Sequence, residues 1–292
     1  QIRSVLGKVE AAVGAMRGAA RVIPRPRSNE ADIILVKKDI LKTSPPDMPW
    51  DRQRRSFADG MTTVMSEMGV TITVCLAGGK EFGPTNLQVM GMTRAGKSHF
   101  FRLAVREISR TNDAVLWVID VAKGAQTIGP VQNAIDWFAG SKDEATAMLT
   151  CIRTDVIRER GQYLADRGLD EWVPGCGLAA LVGWVEEAAQ IKLGTLFTRI
   201  SETCLSTGVF LVNSMQRASH DNMPTSARAQ FGAAVCFGVN SSTDSGFVLS
   251  EEVNAVAIAD QWKASKQGAC YVEAPNLSEE MKGLPGRTFW VE

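Results

Sequence analysis

Eight consecutive residues, Gly91-Met92-Thr93-Arg94-Ala95-Gly96-Lys97-Ser98, fill every fixed position of the spacing G-x-x-x-x-G-K-[ST]. The chemistry of that spacing is phosphate binding. Glycines let the backbone wrap a phosphate chain with its N–H groups inward, and the next helix presents its positive N-terminal end. Lys97 is then expected to reach the β- and γ-phosphates of ATP, and the Ser98 hydroxyl to hold Mg²⁺. The segment Gly91 to His99 is the expected nucleotide-binding stretch. Its surroundings agree: Leu87 to Met90 alternates like a short strand, and Phe100 to Ile108 reads as a helix.

Phosphoryl transfer also needs carboxylates beside the phosphates. Leu181-Val-Gly-Trp-Val-Glu186-Glu187 is an apolar run that ends in two acids. Glu186 is the expected metal residue. A glutamate is one methylene longer than the usual aspartate, so it is placed to reach the ion through water. Glu187 is the expected orienter of the attacking water, and Gln216 the sensor of the γ-phosphate. The plainer alternative for Glu186 and Glu187 is a pair of surface acids opening a helix. Asp120 with Lys123 is either a second polar pair near the phosphates or a strand-end turn.

These residues need strands to carry them. From Thr85 onward strand patterns alternate with helical ones, which implies a parallel sheet covered on both faces. Ala114–Ile119, Leu178–Val185, Val209–Asn213 and Ala233–Val239 read as strands, with Tyr271-Val272 as the last. Asp143–Leu164 and Leu193–Cys204 carry helical stripes, and Gly208 sits as a helix stop. Four of the strands end in polar residues, and ligands of open parallel sheets lie beyond such ends. Upstream, residues 1–84 read as a helical arm, a Pro-rich linker and a small α/β layer. Within them Ile33–Val36 and Val70–Leu76 are expected strands, and Phe57–Met68 an expected helix. Residues 85–292 form the expected nucleotide domain.

Composition excludes little. The chain has 292 residues, with 32 basic against 32 acidic side chains, so global charge names no partner. Residues 1–55 hold twelve Lys/Arg against six Asp/Glu, which fits a solvated face or a nucleic-acid or lipid contact. The six cysteines form no C-x-x-C pair and read as reduced thiols of a cytoplasmic protein. No apolar run reaches bilayer length.

Together the motifs resemble the FtsK/SpoIIIE/HerA group of DNA-pumping ATPases, and within it the TraB-type conjugative plasmid-transfer proteins of actinobacteria. Gly91 to Ser98 is similar to their Walker A loop and Glu186-Glu187 to their Walker B acids. Trp117 to Lys123 is similar to an I-D-P-K block, with Val121-Ala122 in place of the proline. Asn213-Ser-Met-Gln216-Arg217-Ala-Ser219 resembles A-T-Q-R-P-S, and Arg228 to Val239 the block after it. The resemblance covers about residues 85–275. It implies a RecA-like P-loop NTPase fold and a hexameric ring of identical chains around double-stranded DNA, with sequence-independent phosphate contacts. Lys123–Pro130 or Ser141–Asp143 would supply the DNA-contacting loops. It implies an arginine reaching a neighbour's nucleotide. The family's arginine position is Ala233-Ala234 here, which leaves Arg228, Arg217, Arg153, Arg158 and Arg160 as candidates. The family's winged-helix and membrane segments have no counterpart in this sequence, so the expectation is a motor acting at the inner face of the membrane. A ring ATPase of the type VII protein-secretion kind shares these motifs and is the alternative.

Overall fold

The computed structural model describes residues 2–15, 19–24, 30–36, 48, 55–79, 81–187, 194–216 and 225–290. Among the described residues, ten strands form one sheet, in the order β4-β3-β12-β11-β10-β5-β9-β8-β6-β7. Its strands are β3 (Met61–Ser66), β4 (Thr71–Val74), β5 (Leu87–Met90), β6 (Ala114–Asp120), β7 (Trp137–Ala139), β8 (Ala180–Glu186), β9 (Val209–Met215), β10 (Ala233–Phe237), β11 (Ala269–Glu273) and β12 (Pro285–Thr288). From β10 through β5, β9, β8 and β6 to β7 every pairing is parallel. From β10 through β11, β12 and β3 to β4 every pairing is antiparallel. The expected mostly parallel α/β sheet is therefore present.

Burial explains the run of apolar residues in the parallel strands. In β8, Val182 and Trp184 point into one core with Phe100, Phe101 and Phe210. Leu181 and Val185 point into the other, with Leu149, Ile200 and Leu211. Both faces are covered, so alternation is replaced by a continuous apolar string. The first face is covered by α2 (Lys97–Ser109), whose Phe101 ring meets Trp184 edge-on at 5.1 Å. The second is covered by α4 (Lys142–Cys151) and α6 (Gly194–Ser201).

Two expectations fail locally. The span 57–68, expected helical, is a short 3-10 turn at Phe57–Asp59 followed by strand β3. Gly60, at φ 78°, breaks the helical course, and a Cβ there would fall 2.8 Å from the Val74 carbonyl oxygen. The β-branched Thr62-Thr63-Val64 then pairs with β4 and β12. Tyr271-Val272 belongs to β11, but β12 follows it and is the last strand of the sheet. Because β3 and β4 join through β12, the sheet contains strands from both sides of residue 84.

Residues upstream make an appendage. Helix α1 (Ile2–Ala12) precedes a two-stranded antiparallel sheet of β1 (Ala20–Pro24) and β2 (Ala31–Leu35). Arg21 grips Glu67 bidentately at 2.8 and 2.9 Å, and both side chains are buried.

Candidate functional site

The loop after β5 is shaped by its neighbours. Met92 N donates to Gly238 O at 2.9 Å, Gly91 N to Met215 O at 3.3 Å, and Gly268 N to Ala95 O at 2.8 Å. Strands on both sides thus hold it open. Glycine is required twice. A Cβ on Gly91 would lie 2.6 Å from Phe237 Cβ. One on Gly96, at φ 129°, would lie 2.8 Å from Gly268 N. β5 is also where the chain reverses its order across the sheet: β6 lies to one side and β10 to the other. Ligands of open α/β sheets bind at such a switch point.

Lys97 opens α2 and is only 8% exposed. Its Nζ donates to the loop's own carbonyls, Gly91 O and Met92 O. Burial pushes its pKa down; Glu187 and then Glu186 oppose that shift, and Lys123 adds to it. Both acids therefore stand within electrostatic reach of the lysine, as expected of one site.

Glu186 ends β8 and is 5% exposed. Trp184 Nε1 donates to its Oε1 at 2.8 Å and Ser214 Oγ to its Oε2 at 2.9 Å. Trp184 lies two residues back on the same strand face, and Ser214 is the register partner on β9. Burial raises the Glu186 pKa, these two hydrogen bonds lower it, the charge of Asp120 raises it and that of Lys97 lowers it. Glu187 is buried at the strand's end with φ 49°, a conformation unusual for a residue with a side chain. Both acids are buried, so they are not the surface pair of the plainer alternative; a helix opening after them would lie at residues 188–193, outside the described residues. Gln216 follows β9, and Thr93 Oγ1 donates to its Oε1 at 3.0 Å, so it touches the phosphate loop directly.

Asp120 proves to be a turn residue that also faces the site. Its Oδ1 accepts from Ala122 N and Lys123 N at 3.0 and 2.9 Å. That turn carries Lys123 into a cavity of about 370 Å³ with Met92, Thr93, Arg94, Gly96, Lys97, Ser98, His99 and Gln216. Gln267, Gly268, Arg287, Thr288 and Trp290 form its other wall. Sequence reasoning missed this C-terminal wall; only the pairing of β12 with β11 and β3 brings it there.

The arginine candidates separate. Arg160 is committed inside the fold, donating to Thr207 O and Ala179 O. Arg158 is exposed and paired at 3.6 Å with Asp155 and Glu159. Arg228 lies over the Phe247 ring at 5.5 Å. Arg153 lines a separate surface cavity with Arg199. Arg217 and Ser219 lie outside the described residues. Ser141 is the cap of α4, in a capping box with Glu144. All six cysteines are free thiols. Among the described residues no helix is long and apolar enough to cross a membrane.

No family model matches the sequence, and no curated protein matches it. Solved structures do match. The conjugation coupling protein TcpA of pCW3, in monomer form with ATPγS, superposes at TM-score 0.67 and 15% identity, over 99% of this chain and 81% of that one. The cytoplasmic domain of the Thermomonospora curvata type VII secretion ATPase EccC superposes at TM-score 0.62 and 14% identity, over 84% of this chain and 30% of that one. ATPases 2 and 3 of EssC from Geobacillus thermodenitrificans give TM-score 0.59 at 10% identity, over 84% of this chain and 47% of theirs. The chain has the α/β fold of these ATPases.

Proposed function

We propose that this chain is an ATP-driven DNA translocase of the FtsK/SpoIIIE/TraB kind, pumping double-stranded DNA in conjugative plasmid transfer. The observation that carries the reading is the meeting of Lys97, Glu186, Glu187 and Gln216 at the ends of three adjacent parallel strands. The site suits a nucleoside triphosphate with Mg²⁺: the loop has no room for a Cβ at Gly91 or Gly96, the buried Lys97 opens the helix after it, and the charges of Glu187 and Glu186 act on that lysine. When bound, Mg²⁺ supplies charge neutralisation on the phosphate oxygens.

The chain's own residues would divide the work as follows. The backbone from Gly91 to Ser98 would cradle the phosphates, and Lys97 would leave its loop carbonyls for the β- and γ-oxygens. Ser98 and Glu186 would hold the ion. Both oxygens of Glu186 already accept protein hydrogen bonds, which favours reach through water. Glu187 would orient the attacking water. Gln216, tied to Thr93, would report the γ-phosphate to the segment that follows it. Residues 85–292 would carry the motor site, and 1–84 would add an arm and the edge strands β3 and β4 of the same sheet, in a hexameric ring at the cytoplasmic face of the membrane.

The similarity to EccC and EssC supports a second reading, a ring ATPase that moves a protein. ATP hydrolysis measured with linear duplex DNA and with a secreted-protein signal peptide separates the two. Stimulation by DNA supports the translocase; stimulation by the peptide alone supports the second reading.

A further inference from the structure

The geometry points to the open face of Trp290 as the platform on which the base of the nucleoside triphosphate stacks, with His99 as its backing ring. This rests on the phosphate-loop reading above and adds the part of the ligand that reading leaves unplaced.

Three observations carry it. Trp290 and His99 stack with ring centroids 5.2 Å apart and planes 22° apart, so one indole face is covered. Trp290 is nevertheless 53% exposed, and it lines the same cavity as Lys97 and Ser98. An exposed indole on a wall shared with a phosphate loop offers a flat π-face at the end of the phosphate track. Nucleobases stack on such faces whatever their hydrogen-bonding edge.

The pair is also fixed in place. His99 Nε2 lies 2.7 Å from Phe289 O; a carbonyl oxygen only accepts, so Nε2 carries the proton. Thr288 N donates to Gly268 O at 3.0 Å, and Phe289 N to Thr63 O at 3.0 Å. The first turn of α2 and the end of β12 are therefore locked together at the ring pair. A preformed platform loses little freedom when it binds.

The test is calorimetric titration with ATP and with inorganic tripolyphosphate, which has the phosphates and no base. Trp290→Ala should weaken ATP binding about 10-fold, within the range of base–aromatic stacking, and leave tripolyphosphate binding unchanged. Trp290→Phe keeps a ring and should restore most of the ATP affinity. In the wild type, ATP should quench tryptophan fluorescence and tripolyphosphate should not; Trp290→Phe should lose that quench. Equal weakening of both ligands in Trp290→Ala, or undiminished ATP binding, would overturn the platform. So would a quench that survives in Trp290→Phe. Wild-type protein that binds neither ligand would overturn the phosphate-loop reading, and the platform with it.

Discussion

Replacing Glu186 in two ways separates its chemistry from its structural role. Glu186→Ala removes the acceptor of two buried donors, Trp184 Nε1 and Ser214 Oγ. A buried donor left unsatisfied costs about 1–3 kcal/mol. Ser214 can turn its hydroxyl elsewhere, and losing a buried carboxylate returns some desolvation energy. A net loss of about 2 kcal/mol follows. Glu186→Gln behaves differently. Its amide oxygen accepts from Trp184 Nε1, and its NH₂ donates to a Ser214 hydroxyl that has turned to accept, so stability should stay within about 1 kcal/mol. Both variants remove the negative charge beside Lys97, and ATP turnover should fall about 100-fold or more in each. The sign of the pH dependence adds a check. The folded pKa of Glu186 is raised, so its contribution favours folding below the unfolded pKa and is lost as pH rises through the folded value. Glu186→Gln should therefore gain stability relative to wild type between acid and neutral pH. The assays are urea unfolding at several pH values and steady-state phosphate release. Glu186→Gln with wild-type turnover, or Glu186→Ala with unchanged stability, would refute the reasoning.

Other outcomes follow from the same geometry. Gly96→Ala places a Cβ 2.8 Å from Gly268 N at φ 129°, and should cost about 2 kcal/mol or more in thermal or urea unfolding while abolishing ATP binding. Gln216→Ala cuts the contact with Thr93 and should lower turnover at least about 10-fold with ATP affinity little changed, read by comparing kcat with Kd. Lys97 has a lowered pKa, so its burial as a cation costs stability that is recovered as pH rises through its folded value toward 10.5. Phosphates would raise that pKa, so ATP binding should take up protons as the pH approaches 10.5 from below, measured calorimetrically in buffers of different ionisation enthalpy.

Much of the candidate site was legible because each element there agrees with itself. The loop motif has a strand before it and a helix after it, and Asp120 and Glu186 each end an unbroken run of apolar residues and glycine. What strands pair with was not legible. Leu284-Pro-Gly-Arg-Thr288 has the composition of a turn, yet β11 and β3 make it strand β12. With it came Arg287 and Trp290, a wall of the site with no local signal. Phe57–Met68 misled because its apolar residues fall near a helical period, while Gly60 and the β-branched run decide for a strand. The helix expected over 143–164 is present but contains a π turn at Ile152–Val156, which no residue type announces.

In the proposed motor, residues 91–98 act together with Glu186 and Glu187 on ATP to drive DNA. The most direct measurement is ATP hydrolysis by wild type and Lys97→Ala, with and without linear duplex DNA. Duplex DNA should stimulate turnover in the wild type, and Lys97→Ala should abolish turnover without unfolding the chain. Unchanged turnover in Lys97→Ala, or wild-type turnover indifferent to DNA, would contradict the proposed motor.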